Sequence, residues 1–212
     1  MTLRVAVGGF TSNSGKTTLV CELLRALPGW EAIKQTRGHY RSCGRDAHAC
    51  CVSHLLADEP VLRSGRAETY AHGKDTGRYW DAGATNVHWL IATDAQVERG
   101  IKAALARVRA PGVVVEGNSF LSYVPADFVI MCVPKHVDKI KPTARRALAR
   151  CGALYLFTDE GDDTDAAHAQ FNAWRTTAKD DALLRRLPVF TRAELPMLVA
   201  RIVARGAACA VS

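Results

Sequence analysis

The stretch Gly8-Gly9-Phe10-Thr11-Ser12-Asn13-Ser14-Gly15-Lys16-Thr17-Thr18 constrains this chain more than any other. An apolar run, residues 3–7, precedes it, and residues 19–27 behind it repeat at helical spacing. A strand, a glycine-rich turn, Gly-Lys-Thr and a helix follow one another in the order that a phosphate-binding loop requires. In such a turn the backbone N–H groups point inward and cradle phosphate oxygens, and the first helical turn adds its positive dipole end. Asn13, Ser14, Gly15, Lys16, Thr17 and Thr18 are therefore the expected phosphate-binding residues. Lys16 reaches the terminal phosphates, and the Thr17 hydroxyl is placed to bind Mg²⁺. One spacing departs from the common pattern. Gly9 stands six residues before Gly15 rather than five, and Phe10 occupies the intervening position. Either the loop is one residue longer, or Phe10 takes the first-glycine slot.

Beyond this turn the chain alternates between apolar strands and amphipathic helices. Strands are expected at 30–36, 87–92, 113–115, 128–133, 153–157 and 188–190. Helices are expected from about 75, at 96–108, 139–150 and 166–178, and after Thr191, where Glu194 completes a capping box. The strands are continuously apolar, as in a parallel sheet covered on both faces. The expected fold is α/β, a three-layer sandwich around a mostly parallel sheet, with its site beyond the carboxyl ends of the strands. Residues 1–212 read as one nucleotide-binding domain with an irregular insertion at about 37–66, where no clean period is found.

The chain has 48% apolar residues, enough for a proper core, and no apolar run of membrane-spanning length. The N-terminus enters a strand directly, so a cytoplasmic location is expected. A net charge of +7 suits anionic ligands. No basic run is interleaved with aromatics, so nucleic acid is not an expected partner. Seven cysteines, an odd number, argue for reduced thiols rather than a disulfide framework.

Glu116 ends the three-valine strand. A carboxylate there can hold Mg²⁺ beside the phosphate loop or polarise an attacking water; otherwise it is a capping or loop carboxylate. Lys34 interrupts an apolar strand, either facing the ligand end of the sheet or standing in solvent on an edge strand. With Lys16 and Glu116 it completes the set of expected catalytic residues, and Thr17 and Glu116 form the expected metal pair. Asp75 can cap a short helix or bind the ligand, and Asp46 is a weaker metal candidate. Cys43, His48, Cys50, Cys51 and His54 bring Zn²⁺-type donors together, but at no established zinc spacing. The alternative for that cluster is incidental thiols and solvated histidines. His88, Trp80, Trp89, Trp174 and Cys132 read as packing residues. No Asn-Lys-x-Asp element marks guanine. Residues 134–138 and 157–159 are the two options for contacting the base, which leaves GTP and ATP both open.

Three strings together resemble the molybdopterin-guanine dinucleotide biosynthesis protein B family. They are residues 12–19; Ile33-Lys34-Gln35-Thr36; and Gly73-Lys74-Asp75-Thr76-Gly77-Arg78 with Ala82-Gly83-Ala84. That resemblance covers about the first 120 residues. It implies a homodimeric GTP-binding P-loop protein that assists an enzyme of cofactor biosynthesis. The family's histidine-rich stretch is reduced here to Arg37-Gly38-His39, and the part from Phe128 onward is not explained by it. The glycine spacing, Lys34 and Val115-Glu116-Gly117 also resemble dethiobiotin synthetase and the cobyrinic acid amide synthases. That likeness implies an ATP-dependent synthetase in which Lys34 orients a small carboxylate or carbamate. A third reading is a metallochaperone whose nucleotide state gates metal on the cluster between Cys43 and His54.

Overall fold

The computed structural model describes residues 2–38, 55–178 and 181–210. These form one eight-stranded sheet. Its strands are β1 (Leu3–Gly9), β2 (Glu31–Arg37), β3 (Val61–Ser64), β4 (Val87–Ala92), β5 (Gly112–Glu116), β6 (Phe128–Pro134), β7 (Ala153–Phe157) and β8 (Val189–Phe190), in the order β3-β4-β2-β5-β1-β6-β7-β8. Every neighbouring pair is parallel except β3 with β4. Helices α1 (Lys16–Ala26), α2 (Arg66–Thr69), α3 (Asp75–Asp81), α4 (Val97–Arg107), α5 (Pro142–Leu148), α6 (Thr164–Thr177), α7 (Asp181–Arg186) and α8 (Leu195–Ala210) complete it. The fold is the expected α/β three-layer arrangement.

The two faces of the sheet explain why its strands are apolar throughout. On one face Leu19, Leu23, Tyr79, Leu198 and Ile202 from α1, α3 and α8 pack on Val5, Val7 and Val114. On the other, Ile101, Ala144, Leu148 and Phe171 from α4, α5 and α6 pack on Ala6, Val113, Val115 and Met131. Each central strand buries both sets of alternating side chains, and the apolar surface withdrawn from water drives the layering.

The structure alters several expectations. The region 37–66 is not wholly irregular. Residues 61–64 form β3, an antiparallel edge strand whose side chains are all half-buried. Only Val61 and Leu62 are apolar there, too few to show a period. The basic helix is shorter than 139–150 because Pro142 sits at its first position and fixes where it can begin. Two helices, α2 and α7, were not expected; they span four and six residues, too short for a helical period to register. Lys34 is not on an edge, since β2 lies between β4 and β5. His88 and Cys132 are buried, as packing residues should be, although His88 is hydrogen-bonded to Glu31 and Ser64. Cys43, Asp46, His48, Cys50, Cys51 and His54 lie outside the described residues. No helix among the described residues is long and apolar enough to cross a membrane.

Candidate functional site

The turn between β1 and α1 is held from both ends. Gly9 exchanges two hydrogen bonds with the Asn118 side chain, its N–H donating to Oδ1 and its carbonyl accepting from Nδ2, each at 2.9 Å. A Cβ on Gly9 would lie 2.2 Å from Ser14 Oγ. Gly9 is therefore the glycine on which the loop closes, and the loop is the longer of the two alternatives. The Phe10 side chain leaves the turn and is buried on the opposite face, 6.2 Å from the Trp174 ring centroid. Asn13 (φ 57°) and Gly15 (φ 79°) adopt left-handed conformations that turn the chain into α1. A Cβ on Gly15 would come within 2.2 Å of the Phe157 ring. No side chain caps the start of α1, so its first amides remain directed at the turn.

Sheet order supplies the rest. Because β5 lies between β1 and β2, Glu116 is the register partner of both Val7 and Lys34. Thr17 Oγ1 donates to Glu116 Oε2 at 3.0 Å. Lys34 Nζ lies 2.5 Å from Glu116 Oε1 and 2.6 Å from Asp75 Oδ2, bridging the two carboxylates. The buried Tyr79 hydroxyl donates to Glu116 Oε2. Asp75 is the first residue of α3 and does not cap it; its carboxylate is turned to Lys34 and Thr17. Lys16 Nζ donates to the Thr11 carbonyl at 3.1 Å, folded back over the turn that a polyanion would fill.

The electrostatics follow from this packing. Burial pushes the Asp75 carboxyl up, but the Lys34 ammonium and the bonds from Lys34 and Thr17 outweigh it and hold it below its ordinary value. Burial likewise works against the Lys34 ammonium, yet Glu116 and Asp75 overcome it and hold Lys34 above its ordinary value. Burial first, and then the Glu116 charge, push the Tyr79 phenol well upward, so it acts as a donor.

A cavity of about 640 Å³ is lined by Asn13, Ser14, Gly15, Lys16, Thr17 and Thr18 together with Lys34, Asp75, Arg78, Glu116, Phe157 and Asp159. Residues 13–18, Lys34, Asp75 and Glu116 thus line one space. Arg78 was not singled out from the sequence. Its guanidinium donates to Thr18 Oγ1 at 3.3 Å, and its place in the Gly-Lys-Asp-Thr-Gly-Arg string was the available signal. Tyr79 and Asn118 gave none, since their contacts span 37 and 109 residues. Of the two options for the base, Phe157 and Asp159 line this cavity, whereas residues 135–138 line a separate one of about 150 Å³.

The residues suit Mg²⁺. Thr17, Asp75 and Glu116 set a hydroxyl and two carboxylates on one wall, the carboxylates now bridged by Lys34; with that ammonium displaced they are too few oxygens for a protein-made cage but enough for an ion that keeps waters and shares phosphate oxygens. Among the described residues no three His, Cys, Asp or Glu side chains form a metal cluster.

No protein-family model matches the sequence, and comparison with curated proteins gives no match. Solved structures are similar at a distance. LpxK from Aquifex aeolicus in complex with ATP has 18% identity and a TM-score of 0.49, over 76% of this chain and 50% of that one. A Zn(II)-bound triple mutant of the YjiA GTPase has 17% identity and a TM-score of 0.45, over 90% and 57%. A plasmid partition protein from Borrelia burgdorferi bound to AMPPNP has 9% identity and a TM-score of 0.41, over 94% and 89%. The chain thus spans about half the length of the first two. Likeness this distant concerns the fold, and function has to be read from the site.

Proposed function

We propose that this chain is a Mg²⁺-dependent P-loop protein that binds a nucleoside triphosphate, GTP or ATP, and hydrolyses or transfers its terminal phosphoryl group. The observation that carries this reading is the meeting of Lys16, Thr17, Asp75 and Glu116 around uncapped helix amides in one cavity. The amides of residues 13–18 hold the β- and γ-phosphates, and Lys16 moves from the Thr11 carbonyl onto them. Thr17, Glu116 and Asp75 would hold Mg²⁺, which would supply charge neutralisation on the phosphates. Arg78 adds positive charge at the same wall, while the Lys34 ammonium is taken up by Asp75 and Glu116. Glu116 orients an attacking water or acceptor hydroxyl.

Within that class we favour an accessory factor of molybdenum-cofactor biosynthesis, acting as a homodimer with a biosynthetic enzyme. The string that carries the resemblance supplies both Asp75 and Arg78 to the cavity. The second reading, an ATP-dependent synthetase acting on a small carboxylate or carbamate, draws on Lys34, whose ammonium is fixed beside the phosphate turn.

Equilibrium binding of the two nucleotides with Mg²⁺ tests the class. Lys16→Ala is expected to weaken binding about 10- to 100-fold, the loss of a charge-assisted contact. Unchanged affinity would remove the proposal. Lys34→Ala separates the two readings: under the first it leaves nucleotide affinity nearly intact, and under the second it abolishes turnover.

A further inference from the structure

A second cavity, of about 510 Å³, opens at the same end of the sheet on its other face. Strand alternation explains why. Along β2, Ala32 packs with the α1 side and Ile33 with the α4 side, so Lys34 faces the phosphate turn while Gln35 and Arg37 face away from it. Among the described residues, Arg37, Lys141 and Arg146 bring cationic side chains to this second space and Asp94 a carboxylate. Asp94 is already paired with Arg37, Nη2 to Oδ2 at 2.5 Å, and both are largely exposed. Arg146 has no partner among the described residues.

Hydroxyls complete the lining, from Ser119, Ser122, Tyr123 and Thr143. Ser119 is oriented from behind. Gln35 Nε2 donates to its Oγ at 2.6 Å, so the Ser119 proton is left to donate elsewhere. Gln35 is itself more than nine-tenths buried, and its Oε1 has no hydrogen-bond partner. The two cavities adjoin: Lys141 Nζ donates to Ser12 Oγ of the phosphate turn at 2.7 Å, while Lys141 also lines the second space.

We propose that the cavity lined by Arg37, Ser119, Ser122, Lys141 and Arg146 binds a second ligand, a small molecule carrying a phosphate monoester. Two guanidinium forks and the hydroxyl donors that line the same space match a tetrahedral dianion, with Arg146 as the guanidinium not already held by a carboxylate. The bond between Lys141 and Ser12 places that ligand next to the nucleotide phosphates, so the two sites can be filled together.

The test is calorimetric titration of the full chain with glycerol 3-phosphate, with glycerate as the carboxylate arm, in the presence and absence of Mg²⁺ and a non-hydrolysable triphosphate. One equivalent of glycerol 3-phosphate is expected to bind under both conditions. Arg146→Ala and Arg37→Ala, both exposed positions, are each expected to weaken it about tenfold without changing nucleotide affinity. Absence of saturable binding, binding indifferent to both arginine variants, competition by the triphosphate, or preference for glycerate would each overturn the proposal. The arginine variants decide it, so the outcome stands apart from that of the nucleotide reading.

Discussion

Glu116 is the side chain on which the site turns. Its two oxygens meet Thr17, Lys34 and Tyr79, and it is nearly fully buried. A buried carboxylate is tolerated only when its lone pairs are occupied, so each donor carries part of its desolvation. Tyr79→Phe removes one donor without leaving a hole. It is expected to cost about 1–2 kcal/mol in chemical denaturation. The Lys34 bridge also has a pH signature. Asp75 is held below its ordinary value, so its contribution is present above the unfolded carboxylate range near pH ~4 and is lost as pH falls through the folded value. Lys34 is held above its ordinary value, so its contribution is present below pH ~10 and is lost as pH rises through the folded value. Denaturation midpoints measured across pH should therefore fall at both extremes. Asp75→Asn should flatten the acid limb and only reduce the alkaline one, because Glu116 remains beside Lys34.

At the scale of elements, two joints hold the site's parts in register. The first is the entry into α1. Gly15→Ala places a methyl group against Phe157 in a backbone region that only glycine enters cheaply. It is expected to cost about 1–3 kcal/mol and to weaken nucleotide binding, since the amides shift with the helix start. The second joint is Glu31. One oxygen accepts the amides of Arg109 and Ala110 at 2.9 and 3.0 Å, and the other meets His88 Nε2 at 2.8 Å. This carboxylate ties β2 to β4 and to the connection from α4 into β5. Glu31→Ala leaves those donors buried and unpaired, and a loss of about 3 kcal/mol or more is expected in denaturation.

At the scale of the whole molecule, the site is assembled from β1, β2, α3 and β5, so a ligand that bridges them stabilises the entire sheet. A triphosphate with Mg²⁺ at 100 times its dissociation constant should add about 2.7 kcal/mol by mass action. For a domain of this size that is roughly 5–10 °C in Tm, and the shift should shrink in Lys16→Ala at the same concentration. Calorimetry or a dye-based melt checks it. Legibility followed the range of the interactions. The order of elements could be read because apolar runs and helical periods are local, and the Thr191–Glu194 capping box was visible because its two residues are three apart. β3 has no local signature, because two apolar residues make no pattern. Lys34 left two readings open because nothing local distinguishes an edge strand from a central one.

By itself the sequence determined that a glycine-rich turn carrying Gly-Lys-Thr joins β1 to α1, because the glycines, hydroxyls and ammonium that define it lie within eleven consecutive residues. Only the tertiary structure decided which carboxylates face it. Inserting β5 between β1 and β2 brings Glu116 to Thr17 and Lys34, and α3 carries Asp75 and Arg78 to the same wall. The same strand alternation turns Arg37 to the opposite face, beside Lys141 and Arg146. Those meetings depend on strand order and on which way each side chain points, and neither is encoded in any short stretch of the chain.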